Sequence, residues 1–293
     1  MLSTVTDPVC GAVATGSRPT RIAVERSGDG ARFSVLDQGL YLAPRPVSAP
    51  LRAPDGGTPH LRVALIGIHM MLLGGDDIRI ELNVGPGVTL EVIEPAGMVA
   101  YDAEGVASRW SLDAVLGEDS TLVWDGAPFV IAGGANVFRQ TRVRMGAGAR
   151  VLIRETLVLG RSGEAGGALR SVTRLTGPGG DFLYEDLDLT GVRRQAVGVL
   201  GTSKVLASAT AAGWRPLPAH GPGPGPRPSL DPNAGPGENT GLGNADPGNP
   251  NPAAHRFDLA ADGAVLRALT DSAHQADRLV QPEYVRWKDQ LTE

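Results

Sequence analysis

A single cysteine, Cys10, in 293 residues excludes an intramolecular disulfide framework and a cysteine-built zinc site. Lysine occurs only at Lys204 and Lys288, so arginine carries nearly all the positive charge, which codon bias in a GC-rich genome explains. Aromatic residues make up 4% of the chain. No run of about 18 apolar residues occurs, so no membrane span is expected. The N-terminus has no basic region followed by an apolar core, so no signal peptide is read and a cytoplasmic location is expected. The net charge of −5 comes without a clustered excess of Lys and Arg, which argues against a nucleic-acid or anionic-membrane surface. The phosphate-binding GxxxxGK[ST] loop, the dinucleotide fingerprint and the GxSxG elbow are all missing. The five histidines, His60, His69, His220, His255 and His274, form no HExxH or other compact ligand set. His69, inside the apolar GIHMMLLGG run, reads as a loop or interior histidine rather than a ligand. Nothing pairs a nucleophile with its base, so the chain does not read as an enzyme.

Glycine and proline, by contrast, are abundant, at 40 and 23. From His220 to Ala254 they crowd a stretch with almost no side chain that could enter a core, which reads as a disordered insertion. Three units emerge: a β body over residues 1–215 with a mobile arm at 1–20, a Pro/Gly-rich insertion at 216–254, and a C-terminal unit at 255–293. Within the body, Ile78, Ile80, Leu82 and Val84 alternate with Arg79, Glu81 and Asn83, the period of a strand with one buried face. The chain turns at Gly85-Pro86-Gly87 and resumes the alternation with Val88, Leu90 and Val92. The same strand–glycine–strand unit recurs around Gly117 and Gly146, at spacings of 32 and 29 residues. Units that cannot bury their apolar face alone must stack. The expected fold is therefore mainly β, a solenoid or flattened β-helix, with a two-sheet sandwich as the structural alternative. After the insertion, Val265, Ala268, Leu269, Ala273, Ala276 and Leu279 or Val280 follow helical spacing with Asp262 as cap. Pro282 then separates a second helix carrying Tyr284, Val285 and Trp287, so two short helices are expected to fold back on the β body.

Nine residues beyond each pivot glycine stand Glu94, Gly126 and Glu155. Both glutamates continue an inward-facing apolar series, Val88–Leu90–Val92 and Ala149–Val151–Ile153. A carboxylate buried alone is expensive, so each needs an arginine or a watery interior. Trp124, on the equivalent stretch of the middle unit, is expected in the core.

Several segments resemble the UreD (UreH) urease accessory protein family. They are Gly74-Gly75-Asp76, the VGPGVTLEV turn at Val84–Val92, Ala100-Tyr101 and Leu122-Val123-Trp124, followed by the Gly146–Ala149 turn and RETLVLGR at Arg154–Arg161 leading to Gly163-Glu164. The match runs over residues 60–215, with an echo at Gly263–Arg267. Asp125–Phe129 lacks the glutamate that the family often carries there, and the 220–254 insertion is foreign to its shorter members. The resemblance implies a β-helical scaffold, not an enzyme, that joins a helical UreF-like protein and a UreG-like GTPase. The assembly would dock on apo-urease so that Ni²⁺ reaches the nascent site through a watery passage. No tightly bound cofactor is implied. Within that reading, Glu94 and Glu155, with Asp76 and Glu185 as lesser companions, are the expected transient Ni²⁺ contacts, since oxygen ligands release Ni²⁺ more readily than imidazole or thiolate. Two other readings remain: an unrelated β-solenoid protein-binding module, and a β-helical carbohydrate-active enzyme using the glutamate pair.

Overall fold

The computed structural model describes residues 16–48, 58–196, 198–218 and 253–292. Cys10, the beginning of the N-terminal arm and most of the 216–254 insertion lie outside the described residues. The first strands are β1 (Thr20–Ser27), β2 (Gly30–Asp37), β3 (Leu42–Val47) and β4 (His60–Gly67). Then come β5 (Asp77–Val84), β6 (Thr89–Ile93), β7 (Met98–Ala100), β8 (Ser108–Leu116), β9 (Thr121–Ile131), β10 (Asn136–Met145) and β11 (Arg150–Leu159). Beyond them lie β12 (Ala168–Gly177), β13 (Gly180–Asp188), β14 (Val205–Ala212), β15 (Ala254–Asp258), β16 (Gly263–Thr270) and the helix α1 (Ala273–Thr292).

These strands form two facing sheets. One runs β13-β12-β10-β8-β5-β1-β2, and the other β15-β16-β14-β11-β9-β6-β4-β3, with β7 also on β9. Pairing is parallel through the middle of each sheet and antiparallel at the ends. Each coil crosses one sheet, turns at its pivot glycine and crosses the other, as β5–β6, β8–β9 and β10–β11. This is the stacked β-solenoid. The apolar alternation of each strand fills the space between the sheets, with Ile80, Leu112, Leu90, Leu122 and Val151 all buried. Trp124 is buried at 2% exposure and meets Trp110 edge to face at 6.3 Å.

The pivot glycines act through close approach. The amides of Gly85, Gly117 and Gly146 each donate at 2.8 Å to the preceding coil, on Val24, Val84 and Leu116. A Cβ on Gly117 would lie 2.7 Å from the Pro86 nitrogen, and one on Gly146 2.9 Å from that of Glu118. The left-handed residue comes two positions later, at Gly87, Asp119 and Gly148.

The C-terminal unit differs from expectation. Val265, Ala268 and Leu269 lie in strand β16, not in a helix. Sheet two carries the solenoid core on one face and α1 on the other, so a strand there is apolar on both faces and loses its period of two. β14, buried along its whole length, shows the same effect. Asp262 sits in the turn between β15 and β16, and the helix is capped by Ser272, whose Oγ accepts from the Gln275 amide at 3.3 Å. Nor does Pro282 divide two helices: α1 is one helix of 20 residues. Ala276, Val280, Tyr284, Trp287 and Leu291 form a single buried stripe against Val123, Leu152, Ala207, Ala209 and Leu266. Pro282 is exposed, so the hydrogen bond it removes faces water and the stripe carries the helix through. A charge cluster fastens the same contact. Glu91, 1% exposed on β6, meets Arg62 at 2.9 Å, His60 at 3.2 Å and Lys288 of α1. Burial alone would raise this carboxyl, but those three donors hold it down to about 2.

Gly117→Val should shift the urea midpoint down by an equivalent of about 1–3 kcal/mol, because the new side chain meets backbone in the adjacent coil. An unchanged midpoint would contradict the close-approach role.

Candidate functional site

A fault crosses sheet two nine residues beyond the pivots. The β9–β11 ladder pairs Asp125 with Arg154 and then Pro128 with Thr156, leaving Gly126 and Ala127 opposite Glu155 in a bulge. Beside it, β6 ends at Ile93 and pairing with β9 resumes only at Met98. The bulge frees the Ala127 amide, which donates to the Glu94 carboxylate at 3.0 Å. Gly126 has no room for a side chain, since a Cβ would lie 2.6 Å from the Arg154 carbonyl oxygen. The three equivalent positions are thus two inward glutamates around a glycine.

Facing them from sheet one is Arg139, 7% exposed on β10. Its guanidinium ion-pairs with Glu155 and lies over the Trp110 ring, 4.2 Å from the centroid. Burial pushes the Glu94 carboxyl up to about 7 against the pull of Arg139 and the bond from Ala127. Burial likewise lowers the Arg139 guanidinium to about 10, while Glu94 resists the change.

Beyond Glu155 the row continues along the stacking axis. On sheet two, Glu155 pairs with Ser208 and Ser208 with Arg267. On sheet one, Thr141 pairs with Thr173 and Thr173 with Glu185. Arg267 and Glu185 close the end across the two sheets with parallel bonds of 2.8 and 3.0 Å. Three hollows follow the row. An outer cleft of about 320 Å³ is lined by Ile66, His69, Met70, Met71, Met98 and Glu94. Glu94 and Met98 also wall a cavity of about 10 Å³ containing Arg139 and Glu155. Glu155 in turn walls a third, of about 20 Å³, with Glu185 and Arg267. The inner two each have room for about one water.

Three of the four expected carboxylates are therefore brought together. Asp76 is not: it accepts from the Tyr41 hydroxyl at 2.8 Å and the Leu73 amide at 2.7 Å, closing the loop before β5. His69 is an exposed loop residue at the outer cleft. Among the described residues no group of three or more His, Cys, Asp or Glu side chains could hold an ion as a fixed cage. Sequence reasoning missed Arg139 and Arg267. Arg139 was detectable, since it interrupts the inward series Val137, Thr141, Val143 and Met145 of β10.

The model of the UreD urease accessory protein family matches residues 20–291. The chain belongs to the UreD family. It is 46% identical over 257 residues to urease accessory protein UreD 1 of Streptomyces griseus, covering 87% of this chain and 86% of that protein. It is 37% identical over 138 residues to the UreD of Frankia alni, covering 45% and 46%. With the UreD of Streptomyces coelicolor it shares 32% identity over 176 residues, covering 60% and 67%. The match includes both sheets and α1. No helix among the described residues is long and apolar enough to cross a membrane.

Glu94 makes the UreD interior pH-sensitive in a definite direction. Between about 4.5 and about 7 the folded chain holds a proton that the unfolded chain has released. The stability this contributes is complete below about 4.5 and is lost as the pH rises through about 7. Glu94→Gln keeps an acceptor for Ala127 and removes the charge. Its thermal midpoint should gain on the native protein between pH 5 and pH 8; a constant difference across that range would contradict the assignment.

Proposed function

We propose that this UreD-family chain is a urease maturation scaffold that helps deliver Ni²⁺ to apo-urease, working with UreF-like and UreG-like proteins. The carboxylate row between its sheets serves as the route of the ion. One observation carries the reading: Glu94, Glu155 and Glu185 lie inside the solenoid, in successive hollows along its stacking axis. A conduit has to bind weakly enough to release, and scattered oxygen donors suit that task better than a closed cage. The outer cleft favours an entrance. Its rim carries Ile66 and Met70, the latter 69% exposed, beside the inward path at Glu94. Exposed apolar side chains around a cleft are the chemistry of a protein partner's contact.

A solenoid that only presents its outer surface to partners has no use for an inward charged row. A carbohydrate-active enzyme needs space for a sugar ring, and the hollow between Glu94 and Glu155 has room for about one water.

Glu155→Gln keeps the shape and removes a charge. Folding and partner binding should survive, while the nickel content of urease co-expressed with the variant falls. Glu155→Leu should lower it as far or further by drying the route. Unchanged nickel in urease with Glu155→Gln would leave only the scaffold role.

A further inference from the structure

We infer that Arg139 is an exchangeable internal plug, and that a divalent cation passes from Glu94 to Glu155 only by displacing its guanidinium. The inference rests on the conduit reading above and adds its control point. The inner cavity holds about one water, so a hydrated divalent ion does not fit beside the guanidinium in the observed arrangement. Arg139 also occupies the electrostatic position that a cation would take, paired with Glu155 and attracted by Glu94.

Two features mark it as displaceable rather than fixed. Its Nε has no hydrogen-bond partner among the described residues, although the side chain is buried. Arg267 in the same row shares an unpartnered Nε but grips Glu185 fork to fork with two bonds, whereas Arg139 meets Glu155 through an ion pair alone. Second, the flat face of Arg139 rests on aromatic carbon, with Trp110 at 4.2 Å and Phe129 at 5.9 Å. That surface gives a guanidinium released from Glu155 a second place to rest while still charged. A doubly charged ion is more strongly attracted to the freed carboxylates than the diffuse guanidinium, so the exchange is driven by charge density.

The test compares Ni²⁺ binding to the full-length chain and its variants by equilibrium dialysis against a competing chelator. Arg139→Met leaves Glu94 and Glu155 without their internal cation, and should bind Ni²⁺ tighter than native by roughly tenfold or more. Adding Glu155→Gln to Arg139→Met should return binding to the native level. Should Arg139→Met fail to fold, Arg139→Lys keeps the charge but loses the planar grip, and a gain of roughly threefold is expected. Native-like binding by folded Arg139→Met or Arg139→Lys overturns the plug, even if Glu155→Gln still lowers urease nickel and so upholds the conduit. Tighter binding by Arg139→Met with no effect of Glu155→Gln on urease nickel overturns the conduit, and with it any role for a plug in delivery.

Discussion

Parallel stacking sets equivalent positions of successive coils side by side, at the spacing of one strand. An apolar side chain gains from that arrangement, because it meets its own kind above and below. A charged one does not, since repeating a carboxylate in adjacent coils puts like charges together in a medium that screens them poorly. The interior of this chain satisfies the constraint by interruption. Gly126 separates Glu94 from Glu155 on sheet two, and Arg139 enters from sheet one. The bulge, the broken β6–β7 edge and the outer cleft all lie on that row.

Stability does not account for such a row. Ion pairs removed from water are often no better than apolar side chains of the same volume, and here two arginines and three glutamates lie between sheets otherwise filled with Val, Leu and Ile. The Glu91 cluster on the opposite face of sheet two differs in kind. Three basic side chains, His60, Arg62 and Lys288, hold its carboxyl far below the ordinary range, and Lys288 ties α1 to the solenoid. Glu94 accepts from the Ala127 amide and from Trp124, yet burial still pushes its carboxyl up to about 7. The contrast is between an anchor carboxyl kept ionised by three basic side chains and an interior carboxyl pushed towards its neutral form, and it supports the proposed conduit.

The solenoid was legible because each coil repeats a local rule. Period-two alternation marked the strands, close backbone contact required the pivot glycines, and counting from those pivots located Glu94 and Glu155. The C-terminal unit was misread where tertiary burial overrides local period. A strand covered on both faces, as β16 is, carries no alternation, and the apolar stripe of α1 runs through Pro282 because the proline sits on the solvent side. Arg139 and Arg267 were missed for another reason. Arg139 leaves a local mark by interrupting the inward series of β10, but the partner of each arginine lies on the facing sheet, and the register between sheets has no local signature. Asp76 was overvalued because a family segment marks it, while its geometry is that of a loop-closing acceptor.

The central claim is that the charged row inside the solenoid takes up the ion. Anomalous diffraction at the nickel edge tests it most directly, on crystals of the native chain and of Arg139→Met soaked in Ni²⁺. The account predicts a nickel peak between Glu94 and Glu155 in the variant. Nickel found only at surface histidines such as His69 and His274, with no interior peak in either crystal, would contradict it.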